Sequence, residues 1–412
     1  MVRVSSQQAF LGSVGEMIDL NSQVLDTQAK ISSGKEVLTA ADDPLAASRI
    51  SQLTQGISLR EQYTKNLTTL EAALQAEESA LNNIVASIQR VRELTVKAGN
   101  GSYSIEDRQS IAIELDQRLN ELVALANTKD ASGEYIFAGF QGDTIPFAEV
   151  QDGTYVYQGD EGQRFIKADE STNVARNDNG KRIFFEIESA NNTVFTYANP
   201  LNTDQTSYIS SGKVTDQEIY DAFYPEDMVI TFNPETNIVP NGPNYTIVEK
   251  STGKPVITDF AHVQGAQVTF NGASFTISGS PNPGDVFTVE SSNKQDIFKT
   301  VKNLTDGLNS LADTPTDKAQ LETLLNDTLI NLDNALESVV ETQSDVGGRL
   351  NVVDTSRDTQ EEINLVNQTV LSGIRDLDYA EAVSQLSFQT FVLEATQSTF
   401  TRVSGLSLFN KL

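Results

Sequence analysis

The 412-residue sequence has no cysteine and no tryptophan, and its one histidine is His262. Without cysteine there can be no disulfide, no thiol nucleophile and no thiolate metal site. A lone histidine removes paired-His metal centres and the HExxH arrangement. No apolar run approaches the ~18 residues of a membrane span. The opening MVRVSSQQAF lacks the apolar stretch of a secretory leader, so export by the general secretory route is not expected. Basic residues are scarce: 29 Lys and Arg stand against 57 Asp and Glu, a net charge of −28. So acidic a surface disfavours nucleic acid and anionic membranes as partners, and solubility is its general explanation. Neither nucleic-acid binding nor membrane insertion is expected.

The charge is uneven. Residues 140–295 hold 21 Asp and Glu and 9 Lys and Arg, a net of −12. Residues 1–40 hold four acids and three bases, and residues 376–412 hold four and two. The ends are close to neutral, so like-charge repulsion does not oppose their packing together.

Both ends carry one pattern. Phe10, Val14, Met17, Asn21, Val24, Gln28 and Ile31 are spaced by alternating fours and threes, as are Val383, Leu386, Thr390, Leu393, Gln397, Phe400 and Ser404. This is the 3.5-residue period of a helix packed along a seam. Neither stripe is long or apolar enough to be a stable helix alone in water. The two ends are expected to meet and to be completed by other copies or partners, which is an assembly signature. The polar seam residues Asn21, Gln28, Thr390 and Gln397 have two readings. They set register at a cost in stability, or they are half-exposed positions in a short seam.

Between the ends the period changes twice. Ser32, Ser33 and Gly34 break the first helix, and Asp43 before Pro44 reads as the N-cap of the next. Leu67, Leu70, Leu74, Glu77, Leu81, Ile84, Ile88 and Val91 then keep the seam spacing. A helix over 44–98 would be ~80 Å long, and a kink or break is expected near Gly56. Gly99, Asn100 and Gly101 stop it, and Ser104 to Asp107 offers a new cap before Ala112, Leu115, Leu119, Leu122 and Ala126. From about Tyr135 the period becomes two, with strands expected at residues 154–157, 183–187, 193–197, 228–232 and 245–248. QVTFNGASFTISG reads as a hairpin turning at Asn271-Gly272, with Phe287 and Val289 the inward pair of the strand that follows it. From Ile297 the helical period returns, through Val301, Leu304 and Leu308 and then through Leu321, Leu325, Leu332, Val339 and Val346, continuing past Gly347-Gly348. Helices on each side of a β block pair to bury their stripes. The expected fold class is α+β: an elongated helical coiled-coil or bundle rod built from both chain ends, with an inserted outer β-rich domain. The expected domains are 1–40 with 376–412, 41–138 with 296–375, and 139–295.

Catalysis finds little support, and no enzyme activity, cofactor or metal is expected. His262 lies among Asp259, Phe260 and Val263 and reads as structural. Asp42-Asp43 is explained by capping. Asn177, Asp178 and Asn179 before Gly180 faintly suggest a calcium loop, but the later Glu is missing and a turn is the better reading. GASFTISG lacks the Lys of a phosphate loop.

Three segments carry a resemblance. Residues 32–48, SSGKEVLTAADDPLAAS, and residues 88–122, from IQRVREL to LDQRLNEL, resemble segments of the bacterial flagellin superfamily, and residues 378–412 are similar to its terminal helix. Within it, RVSSQQAF, ANTKDASGEYIFAGFQGDTIPF at 126–147 and the closing Gly405-Leu406-Ser407-Leu408-Phe409 resemble the hook–filament junction family. The likeness covers about 1–147 and 296–412. It implies a subunit exported by the flagellar type III apparatus, transiently cytoplasmic, then placed between another hook-associated junction protein and the flagellin filament. It implies self-assembly into a ring or short helical layer, with the β domain outward and a cytoplasmic export chaperone holding the C-terminal region. Phe10, Val14, Met17, Val24, Ile31, Val383, Leu386, Leu393 and Phe400 would then be the assembly seam. Leu406, Leu408 and Phe409, with Leu412, would serve in turn as chaperone handle and assembly contact. Arg90, Leu94 and Glu114 match positions where flagellins meet an innate immune receptor, and lateral subunit contacts are the expectation here. Flagellin itself is the alternative. A third reading is an outer module at 140–295 engaging host or glycan ligands, for which no motif speaks.

Overall fold

A computed structural model describes residues 6–151, 154–210 and 212–409, with side chains described for 11–150, 154–210 and 212–402. The described helices are α1 (Ser6–Ser33), α2 (Pro44–Ala98), α3 (Ile105–Ala126), α4 (Gln217–Phe223), α5 (Ile297–Ser310), α6 (Pro315–Arg375) and α7 (Tyr379–Phe409). Between α3 and α5 lie the strands β1 (Phe147–Gln151), β2 (Thr154–Tyr157), β3 (Phe165–Lys167), β4 (Asn173–Ala175), β5 (Ile187–Ala198), β6 (Tyr208–Ile209) and β7 (Lys213–Val214). They continue after α4 as β8 (Met228–Asn233), β9 (Asn244–Glu249), β10 (Pro255–Ala261), β11 (Gln267–Phe270), β12 (Ala273–Ser278) and β13 (Val286–Gln295). The α+β class and the order of helices, β insertion and helices stand as expected. The chain forms two compact units, and α2 and α6 contribute to both.

The first unit comprises the chain to Leu67, residues 168–172 and the chain from Asp354. Asp43 caps α2: its Oδ1 accepts the N–H groups of Leu45 and Ala46, each at 2.9 Å. Asp42 Oδ2 accepts from Leu38 and Thr39, so both carboxylates are spent on the backbone. The break expected near Gly56 does not occur, because α2 is continuous from Pro44 to Ala98. One interior glycine costs a helix ~1 kcal/mol, which packing on either side offsets. Gly56 lies beside Asn367 of α6, and four residues on Arg60 Nη1 donates to Gln360 Oε1 at 2.9 Å. These pairs run in opposite directions along the two helices, so α2 and α6 are antiparallel.

The second unit spans residues 68–167 and 173–353. Here too α2 and α6 are antiparallel, with Asn82 bonded to Gln343 and Arg92 to Asp333. Leu70, Leu74, Leu81, Ile84, Ile88 and Val91 of α2, Leu115, Leu119 and Leu122 of α3, and Leu332, Val339 and Val346 of α6 are all buried, as their spacing requires. Ser104 and Asp107 form the capping box that starts α3, each side chain bonding the other residue's backbone N–H. α6 passes through Gly347-Gly348 without interruption.

The β insertion has a five-stranded antiparallel sheet in the order β10-β9-β8-β13-β5 and a smaller one of β11-β12-β6, with β7 beside β12. Ile230, Phe232, Ile247, Phe275, Ile277, Phe287 and Val289 form their shared core. The β11–β12 hairpin turns at Asn271 (φ 42°) and Gly272 (φ 76°), the two positive φ values that a two-residue hairpin loop requires. A Cβ on Gly272 would stand 2.3 Å from the Asp216 carbonyl oxygen, so only glycine fits.

One expected strand is absent. Lys181–Phe185 is a π-helical turn, and β5 begins only at Ile187. The neighbours Ile183 and Phe184 are both buried, which a period of two would forbid. Phe184 packs edge-on against Phe137 and Phe147 at centroid distances of 5.3 and 5.2 Å, while Phe185 stacks on Phe147 at 5.7 Å. That aromatic cluster outweighs the strand propensity of the segment.

Candidate assembly interface

In the first unit α1 packs antiparallel on α7. Gly34, at φ 70°, turns the chain so that its carbonyl accepts the Leu377 N–H at 3.0 Å. Further along, the Thr27 hydroxyl donates to Gln389 Oε1 at 2.8 Å. As α1 is followed backwards α7 is followed forwards, which sets the register of the pair.

Val14, Met17, Val24 and Ile31 of α1 and Leu386, Leu393 and Phe400 of α7 are half-buried. The intervening positions differ by one residue from the expected stripe. Asn21, Gln28 and Gln397 are exposed, while Leu20, Thr27 and Thr396 are more buried. Val383 is 50% exposed and Ala382 is buried in its stead. A 3.5-residue repeat places either the third or the fourth following residue near the seam, so the spacing alone leaves this choice open. The buried polar pair is therefore Thr27 with Gln389 and not the set read from the sequence. The Phe10, Leu406, Leu408 and Phe409 backbone lies in α1 and α7, but their side chains, like all of Leu412, fall outside the described residues.

The buried pair makes a prediction. Thr27→Val leaves the Gln389 amide buried without this partner and is expected to destabilise the first unit by about 1–3 kcal/mol. Adding Gln389→Leu is expected to recover most of that loss in thermal unfolding followed by circular dichroism. Loss in the double variant equal to the sum of the two single losses would show that the pair is not coupled.

The outward faces of the same helices were not legible as a site. Leu11, Ile18 and Leu25 recur every seven residues on α1 and are 62%, 63% and 58% exposed. Phe388 and Phe391 are each 67% exposed on α7. The signal was present in the sequence as a second heptad register, hidden by the stronger inner one. Large apolar side chains exposed in series mark an interaction surface.

The second unit holds a polar centre. Glu77 lies between Leu74 and Leu81 in the buried stripe of α2 and is itself fully buried. Its Oε1 accepts the Asp178 N–H at 3.0 Å, while Oε2 has no partner. Arg349 of α6 grips Asp178 with both terminal nitrogens, at 2.7 and 3.0 Å, and Gln163 Nε2 donates to it at 2.6 Å. Burial, helped by the Asp178 charge, pushes the Glu77 carboxyl up to about 8; the Asp178 N–H and Arg349 oppose that shift. The segment that faintly resembled a calcium loop is thus held by Arg349 and Gln163. Among the described residues no group of three or more His, Asp or Glu could hold a metal ion.

His262 is half-buried against the rings of Phe232 and Tyr245, and burial lowers its pKa. Arg90 pairs within its own chain with Glu93 and Glu114. Leu94 is in the core, which removes it from the lateral contacts expected of it.

The first unit joins the two chain ends through α1 and α7, and large apolar side chains stay exposed on both helices. Residues 6–142 match the model of the bacterial flagellin N-terminal helical region. Flagellar hook-associated protein 3 from Legionella pneumophila, known as a crystal structure, is 32% identical; the match covers 79% of this chain and 98% of that one, with a TM-score of 0.54. The flagellar junction protein FlgL from Legionella pneumophila is also 32% identical, covering 79% and 99%, with a TM-score of 0.51. The chain belongs to the flagellar hook-associated protein 3 family. Flagellar hook-associated protein 3 of Escherichia coli (strain K12) is 32% identical over 188 residues, 46% of this chain. That match spans only 58% of the relative's length.

Proposed function

We propose that this protein is a structural adaptor joining the flagellar hook to the flagellin filament. The observation that carries the reading is the set of exposed apolar side chains on the α1–α7 pair, Leu11, Ile18 and Leu25 on α1 and Phe388 and Phe391 on α7, in a chain of the hook-associated protein 3 family. A folded monomer leaves this surface in water, and other copies or neighbouring flagellar subunits would cover it.

The partners would be another hook-associated protein on the hook side, flagellin on the filament side, and further copies of this chain in a ring or short helical layer. A cytoplasmic export chaperone would hold the C-terminal region before passage through the growing flagellum. In the assembled state residues 1–40 with 376–412 would form the inner layer, residues 41–138 with 296–375 the wall around it, and residues 139–295 the outward domain. The half-buried seam residues Met17, Val24, Ile31, Leu386, Leu393 and Phe400 would keep the two terminal helices together while their outer faces engage neighbours.

Flagellin is the second reading, favoured by the match of residues 6–142 to the flagellin N-terminal region. Immunogold electron microscopy of intact flagella separates the two. The junction reading predicts label confined to a narrow zone where hook meets filament. Label along the whole filament would make this chain a bulk subunit instead.

A further inference from the structure

The second unit contains a cavity of ≈ 830 Å³ beside β5, an edge strand of the five-stranded sheet. Phe195 and Tyr197 of β5 are two residues apart and share a face, opposite to Val194, which is buried in the β core. Phe195 is half-buried and Tyr197 exposed, and with Tyr208 of β6 they line the cavity. The core aromatics Phe147, Phe184 and Phe298 pack against one another, edge-on or stacked. Among the described residues no ring stacks on Phe195, Tyr197 or Tyr208.

The cavity is also lined by polar groups on a fixed loop. Asp160 Oδ1 accepts the Phe140 and Gly162 N–H groups at 2.9 and 2.7 Å, which holds the loop in place. Glu161 beside it is paired with Lys181. With Asp296, three carboxylates and one ammonium line the cavity and leave it acidic, in a chain of net charge −28. Stacking platforms for nucleic acid lie in positively charged grooves, and anionic ligands would be repelled here. The volume is in the range of small-molecule sites, roughly 300–1,000 Å³. Anions are disfavoured, and a ligand that stacks here offers a flat apolar face to an aromatic ring and carries donors and acceptors around its rim.

We infer that this cavity binds a short neutral oligosaccharide, with its sugar rings stacked on Tyr197, Phe195 and Tyr208 and its hydroxyls bonded to the Asp160, Glu161 and Lys181 wall. The inference does not depend on the junction role, whose open apolar surface on α1 and α7 belongs to the other unit.

The full chain would be titrated with maltotriose, cellotriose, triacetylchitotriose and the anionic sialyllactose, read by saturation-transfer NMR and calorimetry. Saturable binding of at least one neutral sugar below about 10 mM is expected, with sialyllactose weaker. Tyr197→Ala is expected to weaken binding roughly tenfold and Tyr197→Trp to retain it. Tyr197 is exposed, so the thermal unfolding of both variants should match the parent. No saturable binding of any of the three neutral sugars, binding indifferent to Tyr197→Ala, or tighter binding of sialyllactose would each overturn the inference.

Discussion

A chain carrying Leu11→Asp, Ile18→Asp and Leu25→Asp is expected to fold normally and to support no filament growth. The three side chains are mostly exposed in the monomer, so their replacement removes little packing there. Surface changes of that kind usually shift stability by no more than about 0.5 kcal/mol. In an assembled layer the same side chains would be covered. Burying a Leu or Ile is worth roughly 1.5–3 kcal/mol, and three together would dominate the contact that each copy makes. Aspartate in their place adds charges that must be desolvated without partners. The expected result is a soluble monomer with parental thermal unfolding, secreted by cells that carry no filaments. Removing residues 1–30 or 385–412 is expected to give the same phenotype with a folded remainder. Normal filaments from the triple variant would show that the outer face of α1 is not an assembly surface.

The second large effect lies in the buried polar centre. Arg349→Leu is expected to destabilise the second unit by about 3–5 kcal/mol, because Asp178 loses both bonds to its cation while remaining buried beside Glu77. Glu77→Gln is expected to act in the opposite sense, and only at high pH. The folded chain holds the Glu77 proton up to about pH 8, against an ordinary value of 4.5. Folding therefore takes up a proton between those values. The stability linked to that proton is complete below about pH 4.5, falls as pH rises through 8, and is absent above it. Glutamine cannot ionise and escapes the loss. Urea unfolding should find Glu77→Gln close to the parent at pH 5 and more stable by about 3–5 kcal/mol at pH 9. Equal stability of the two chains at both pH values would mean that Glu77 is already ionised, or solvated, in the folded protein.

Much of this architecture was legible in the chain because its signals are local. Asp43 before Pro44, the Ser104–Asp107 box and the Asn271-Gly272 turn are each complete within a few residues, and all three form as read. The buried stripe from Leu67 to Val91 needed only its period. Reading stopped where the deciding contact was distant. Nothing around Glu77 announces that its partners are Asp178 and Arg349, since those lie 101 residues from Glu77 and a further 171 along the chain. Phe184 and Phe185 have strand propensity, and only the distant Phe137, Phe147 and Phe298 gathered around them decide otherwise. In the terminal pair the period marks two helices but not which of two adjacent residues turns inward. Choosing Thr27 over Gln28 and Gln389 over Thr390 depends on how two helices 362 residues apart align. The open stripe of Leu11, Ile18 and Leu25 is masked in the sequence because a helix with apolar residues on two sides presents two registers at once.

The most direct test of the adaptor reading is a clean deletion in the motile source bacterium, examined by electron microscopy with the spent medium assayed for flagellin. The account predicts hooks without filaments, flagellin monomer lost to the medium, and filaments restored by the full-length chain supplied in trans. Filaments of normal length on the deletion strain would contradict it.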